Sequence, residues 1–353
     1  MKLLRTFILK EFYHIFRDRR TMLILLVMPI ILIILFGYAI TNEIKSAPIG
    51  VIDLQRNDDS RRLTEQLSAS DYFILYDTYD NQASADLALR SGAIAMAIKI
   101  TDEIGTNHIQ IQVDATDPNQ ATQLAQYAQA IISTNSAIQP TIAPITHLLY
   151  NPQMRSSYNF VPGVMGLILI LICAMMTSIC IVREKETGTM ELLLASPIKP
   201  IIIIISKAAP YLLISIINVI TILLLAKFIL GVPINGSVTL LMSISILYSL
   251  LALCLGLLIS TIVDTQQAAM LISGVVLMLP IVLLSGMIFP IENMPTILQV
   301  ISNIVPAKWY ILAIRGVMIK GLTISQVWSE IVILTAMLLV IIAISVKRFK
   351  IRL

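Results

Sequence analysis

Apolar residues in this chain gather into long blocks separated by short polar stretches. An α-helix needs roughly 20 mostly apolar residues to cross a hydrocarbon core about 30 Å thick. Six blocks reach that length, over about 22–41, 160–182, 202–228, 238–262, 267–289 and 327–346. The first is too long for a signal peptide, and Thr41-Asn42-Glu43-Ile44-Lys45 after it does not resemble a small-residue cleavage site. Between the first and second blocks the pattern changes. Residues 48–53, 72–76, 93–100 and 109–113 read as strands. The segment around Leu63 and Leu67, then Ala83 to Arg90, read as helices. Asp117-Pro118 reads as an N-cap followed by proline at the first helical position, opening a helix that runs toward Ile138. The pattern therefore predicts an α-helical polytopic membrane protein of six transmembrane helices with an inserted small α/β extracytoplasmic domain. The expected divisions are 1–20, 21–42, 43–158 and 159–353: an interfacial helix, the first span, the α/β domain and a five-helix membrane region.

Composition agrees with this division. Apolar residues make up 57% and charged residues 13%, against about 25% charged in soluble domains, and the mean hydropathy is +0.86. A net charge of +4 is no argument for a nucleic-acid partner. Its distribution gives an orientation instead, because Lys and Arg collect in cytoplasmic flanks. Lys2, Arg5, Lys10, Arg17, Arg19 and Arg20 precede the first span. Arg183, Lys185, Lys199 and Lys207 lie at the second connection, and Lys347, Arg348, Lys350 and Arg352 end the chain. With six spans all of these fall on one side, assigned to the cytoplasm together with both termini, and 42–159 falls outside. Lys308, Arg315 and Lys320 depart from the rule. They lie on the outer side, in a linker broken by Pro290, Pro295 and Pro306, where short helices would let them snorkel to headgroups. Before the first span, Leu4, Ile8, Phe12, Ile15 and Phe16 fall near one helical face, as in a helix lying in the interface plane among membrane lipids.

Catalytic patterns are missing from the sequence. It holds no G-x-x-x-x-G-K-[ST], H-E-x-x-H or G-x-S-x-G. Cys173, Cys180 and Cys254 all fall in spans and suggest neither disulfides nor, with the scattered His14, His108 and His147, a metal site. Asp53, Asp58 and Asp59 read as a solvated turn in preference to a cation site. Ionisable residues at membrane depth are rare, which argues against a proton relay. Met165, Met175, Met176, Met270 and Met278 read as packing, with an adaptable apolar path as the alternative. The strongest local signal is Arg183-Glu184-Lys185-Glu186-Thr187-Gly188-Thr189-Met190-Glu191-Leu192-Leu193-Leu194-Ala195-Ser196-Pro197. Its charges mark an exit from the membrane. Thr187 or Thr189 caps a short helix with apolar Met190, Leu193 and Leu194, and Pro197 stops it. Such a helix, over about 184–197, lies on the membrane or docks into a partner's groove.

Residues 182–199 resemble the signature of the type-2 ATP-binding-cassette (ABC) exporter permeases, in the multidrug or lipid-exporter-like group with a large external domain. Arg17-Asp18-Arg19-Arg20 with Pro29, Ser285-Gly286-Met287-Ile288-Phe289-Pro290 with Met294-Pro295, and Pro306 with Arg315-Gly316 and Lys320-Gly321 are similar to the same family in the same order. The resemblance implies a multi-pass bacterial inner-membrane permease without its own nucleotide site. ATP and Mg would be bound by a separate ABC ATPase subunit, and a second permease, identical or related, would complete the pair. Glu184, Glu186, Gly188, Thr189, Glu191, Leu192 and Leu193 would touch the ATPase, with Arg17 and Asp18 of the N-terminal helix beside them. A hydrophobic or amphipathic drug or lipid-like substrate would be exported, and a periplasmic adaptor is a further possible partner. A different reading keeps the ATPase but makes the complex a signalling or assembly device of the envelope, with the external domain as sensor or docking platform.

Overall fold

The computed structural model describes residues 2–38, 46–103, 106–114, 118–134, 151, 155–189 and 200–351. Two compact units emerge: residues 1–40 with 156–353, and residues 41–155.

The first unit is helical. Its elements are α1 (Lys2–Arg17) and α2 (Arg19–Tyr38), then α6 (Ser157–Glu186), α7 (Pro200–Phe228), α8 (Val238–Ser260), α9 (Gln266–Leu284), α10 (Thr296–Ser302), α11 (Pro306–Lys320) and α12 (Trp328–Ile351). Within the described residues, five helices are by themselves long and apolar enough to cross a membrane: α6, α8 and α9, Ile205–Phe228 of α7, and Trp328–Ser345 of α12. They coincide with the second to sixth predicted blocks. The first block appears as α2, which enters the count only through a pair bent by 68° with α1. A second bent pair, α10 with α11 at 81°, occupies the proline-broken linker and raises the number of candidate spans to as many as seven. Hydropathy reading left this linker out of the spans because its two helices are short and charged at 308, 315 and 320.

Within this unit α8 is central, packing on α6, α7, α11 and α12. Close approach is possible because Gly256 lies on the π-helical turn Leu171–Met175 of α6, where an added Cβ would stand 2.3 Å from the Ala174 carbonyl oxygen. Tyr248 and Tyr310 stack at 4.1 Å in the core; the Tyr248 hydroxyl donates to the Gly166 carbonyl at 3.2 Å, and the Tyr310 and Ser245 hydroxyls pair at 3.0 Å. Two of the linker cations, Lys308 and Arg315, have partners inside the chain. Lys308 donates to Asn303 at 2.6 Å and lies over the Trp309 ring, and Arg315 donates to the Gly286 carbonyl at 3.2 Å.

The α2–α7 contact turns on a proline. Leu25, Pro29 and Ile33, four residues apart, form the buried stripe of α2. Pro29 has no N–H to give the Leu25 carbonyl one turn earlier. Asn218 of α7 supplies the donor from its amide at 3.2 Å. A backbone group that would be orphaned in an apolar setting is thus satisfied by a neighbouring helix.

The second unit contains β1 (Ala47–Asp53), α3 (Asp58–Ser68), β2 (Phe73–Thr78), α4 (Gln82–Arg90), β3 (Met96–Glu103), β4 (Thr106–Val113) and α5 (Pro118–Thr134). The sheet order is β2-β1-β3-β4, with β1 parallel to β2 and β3, and β4 antiparallel to β3. Alternation along β1 sends Ile49 and Val51 into a core with Leu63, Leu67 and Tyr127, and Ile52 into a smaller one with Ala85 and Ile94. Asp117, expected to cap α5, lies outside the described residues. Asp53 accepts from the Gln55 and Arg56 backbone N–H groups and from the Ser60 hydroxyl, so the acidic cluster is a turn opening α3.

Replacing Asn218 with Ala should lower thermal stability in detergent by about 0.6–1.7 kcal/mol, the range of interhelical hydrogen bonds in membranes. In a Pro29→Ala background, where the helix regains its own donor, the same replacement should cost measurably less. Equal costs in both backgrounds would refute the pairing.

Candidate functional site at the end of helix α6

The charged run Arg183 to Glu186 closes α6, with Arg183 and Lys185 in its last turn, where cations complement the helix dipole. Thr187 ends the helix, and its hydroxyl donates to the Arg183 carbonyl at 2.9 Å. Gly188 turns the chain with φ of 71°, a left-handed conformation that costs glycine little. The Thr189 hydroxyl reaches back to the Glu184 carbonyl at 3.3 Å.

Consecutive side chains of this run point to different elements. Glu184 accepts from the Lys207 ammonium of α7 at 2.6 Å. The same ammonium reaches Glu11 of α1 at 3.3 Å. Both Lys207 and Glu11 are buried, at 3% and 6% exposure, so this is an interior ion cluster joining three helices. One ammonium serves two carboxylates, and the buried Glu184 Oε2 takes no hydrogen bond among the described residues. Lys10, exposed, approaches Glu11 at 3.8 Å. Lys185 donates to the Ser260 carbonyl at the end of α8. Glu186 accepts from Gln266 at the start of α9, through its side-chain amide at 2.6 Å and its backbone N–H at 3.3 Å.

Glu11, Glu184 and Lys207 themselves line an open pocket of about 490 Å³, together with polar Asp18, Arg183 and Thr189 and apolar Met176, Ile179 and Tyr211. Asp18 stands at the break between α1 and α2 and is half-buried, whereas Arg17 is exposed. Glu186, Gly188 and Thr189 are exposed as well. Glu191, Leu192 and Leu193 lie outside the described residues, as does the rest of the short helix expected there. Among the described residues no group of three His, Cys, Asp or Glu side chains is placed to hold a metal.

Glu11 is the site residue that sequence reading missed. Its signal is a carboxylate at helical spacing among apolar neighbours, since residues 4, 8, 11 and 15 share one face of α1. In the sequence Lys207 reads only as a flanking charge, although a lysine inside the first turns of an apolar helix requires a counter-ion.

Comparison with known proteins covers nearly the whole chain. The model of the ABC-2 family transporter proteins matches residues 19–347. The chain belongs to that family. Among curated relatives, the permease is 30% identical to a probable multidrug ABC transporter permease of Escherichia coli, YbhS, over 90% of this chain and 88% of that protein. A second probable multidrug ABC transporter permease of that organism, YbhR, is 28% identical over 92% of each chain. The inner membrane transport permease YhhJ of Escherichia coli is 27% identical over 88% of this permease and 86% of its own length.

Lys207→Met leaves Glu11 and Glu184 facing one another without their cation. Breaking a buried pair in this way costs about 3–5 kcal/mol, and thermal unfolding of the purified permease should show it. Adding Glu184→Gln should recover part of the loss. A Lys207→Met variant as stable as the wild type would remove the cluster from the account.

Proposed function

We propose that the permease is the membrane subunit of an ATP-driven exporter. In this reading six spans cross the membrane, counted as α2, α6, α7, α8, α9 and α12. The end of α6 and both termini face the cytoplasm, and residues 43–158 face outward. A separate ATPase subunit, holding ATP and Mg, docks on the segment after α6. Gly188, Thr189, Glu191, Leu192 and Leu193 meet it, with Glu186 at the edge, while Glu184 acts from within by tying that segment to Lys207 and Glu11. Arg17 and Asp18 border the same surface. Two permeases pair around the path of a hydrophobic or amphipathic substrate. ATP-driven movement of the docked segment shifts the spans, and direction follows from different substrate affinities in the two states.

One observation carries the reading: the charged end of α6 is bonded directly to α7, α8 and α9, and through Lys207 to Glu11 of α1. A push delivered there reaches four helices. The family match and the multidrug permease names of the relatives support transport in preference to signalling.

The test is purification of the permease with its co-expressed ATPase, comparing wild type with Glu191→Ala and Leu193→Asp combined. The variant is expected to lose ATPase association and vesicle transport of a fluorescent lipophilic dye, with its melting temperature unchanged. Retained association and transport would refute the docking surface.

A further inference from the structure

Most of helix α9 is exposed within this chain, as is most of Trp328–Ser345 in α12. The mean hydropathy of α9 is 2.3, yet only 17% of its residues are buried, and Met270, Leu271, Val275, Val276, Leu279 and Leu283 are all exposed. Its attachments concentrate at its two ends. The far end is reached through the segment that follows it, where Asn159 donates to the Met287 carbonyl at 3.3 Å and Arg315 to that of Gly286. The near end is held by α6. Val182 joins Ile259, Val263 and Ala269 in a small separate core. The Ser178 and Ser273 hydroxyls meet at 3.0 Å in the interior. Lys185 and Glu186 then hold opposite flanks of the turn 261–265 that links α8 to α9.

The charges of that grip match what they touch. The C-terminal carbonyls of a helix carry partial negative charge, and its N-terminal N–H groups carry partial positive charge. Lys185 sits on the last carbonyls of α8, and Glu186 sits on the first N–H of α9, which Thr265 also caps through Ala268 at 3.3 Å. Adjacent residues on a helix point about 100° apart, so the two side chains straddle the turn. Exchanging their signs would oppose both helix ends.

We propose that Lys185 and Glu186 are positioning residues that clamp the α8–α9 turn to the end of α6, so that α9 follows α6 when the docked segment moves. The proposal rests on the docking reading above but assigns these two side chains inward, to the permease itself. With α9 mostly exposed and held at its two ends, a displacement of the near-end grip tilts it about the far attachment, whereas the buried α8 resists.

The clamp is tested first in the permease alone, by hydrogen exchange of amides 262–269. Lys185→Met and Glu186→Gln should each raise exchange there by about threefold, the scale of a partly exposed charged contact, without change in the α8 interior. Unchanged exchange overturns the clamp, whether or not an ATPase binds. Its mechanical role is tested in the complex with the pair Glu186→Cys and Gln266→Cys, with Cys173, Cys180 and Cys254 replaced by Ala. Transport per ATP hydrolysed should fall about threefold in the unlinked pair and return when a short bifunctional thiol reagent joins the two positions. A link that fails to restore coupling, or an unlinked pair that never lost it, overturns that role. If the wild-type permease binds no ATPase, the docking reading falls, and the exchange experiment alone decides the clamp.

Discussion

The Lys207 ammonium, shared by Glu11 and Glu184, is the constraint around which this end of the helical unit is arranged. An unpaired charge in so apolar a setting is costly, so the three helices that contribute to the cluster must meet at one point. That fixes the N-terminal helix α1 against α7, and the last turn of α6 against both. Side chains one and two residues further on then engage the ends of α8 and α9. The order of charges from 184 to 186 is therefore an order of contacts, with each sign facing its complement.

The rest of the helical unit is held by different physics. Small residues such as Gly256 allow backbones to touch, and stacked tyrosines fill the centre with their hydroxyls satisfied. Asn218 replaces the donor that Pro29 lacks. Membrane helices gain little from apolar burial against one another, since lipid is equally apolar, and packing with local hydrogen bonds decides which faces meet. The contrast between the buried α6 and the exposed α9 follows from where such contacts exist.

Much of this was legible in the sequence. The α/β unit was readable because strand alternation, turn residues and apolar helix faces are local signals, and β1, β2, α4 and α5 begin within about two residues of expectation. Five of the six expected spans stand as long apolar helices, readable because hydropathy needs no knowledge of neighbours. What escaped depends on partners distant in the chain. Glu11 and Lys207 are 196 positions apart, and Glu186 and Gln266 are 80. The run 183–186 reads locally as a membrane exit with carboxylates free for a partner; in the fold, Glu184 and Glu186 are already bonded within the chain. Short helices are expected in the proline-broken linker, but its cations disguise how far α11 is packed into the unit, with Tyr310, Ile314 and Val317 buried.

The central claim is that the surface beyond the ion cluster faces the cytoplasm and receives an external push. Thiol labelling of Thr189→Cys by a membrane-impermeant maleimide, in right-side-out and inverted vesicles, tests it most directly. The account predicts rapid labelling only in inverted vesicles, with protection when an ATPase subunit is bound. Labelling only in right-side-out vesicles would reverse the topology and contradict the account.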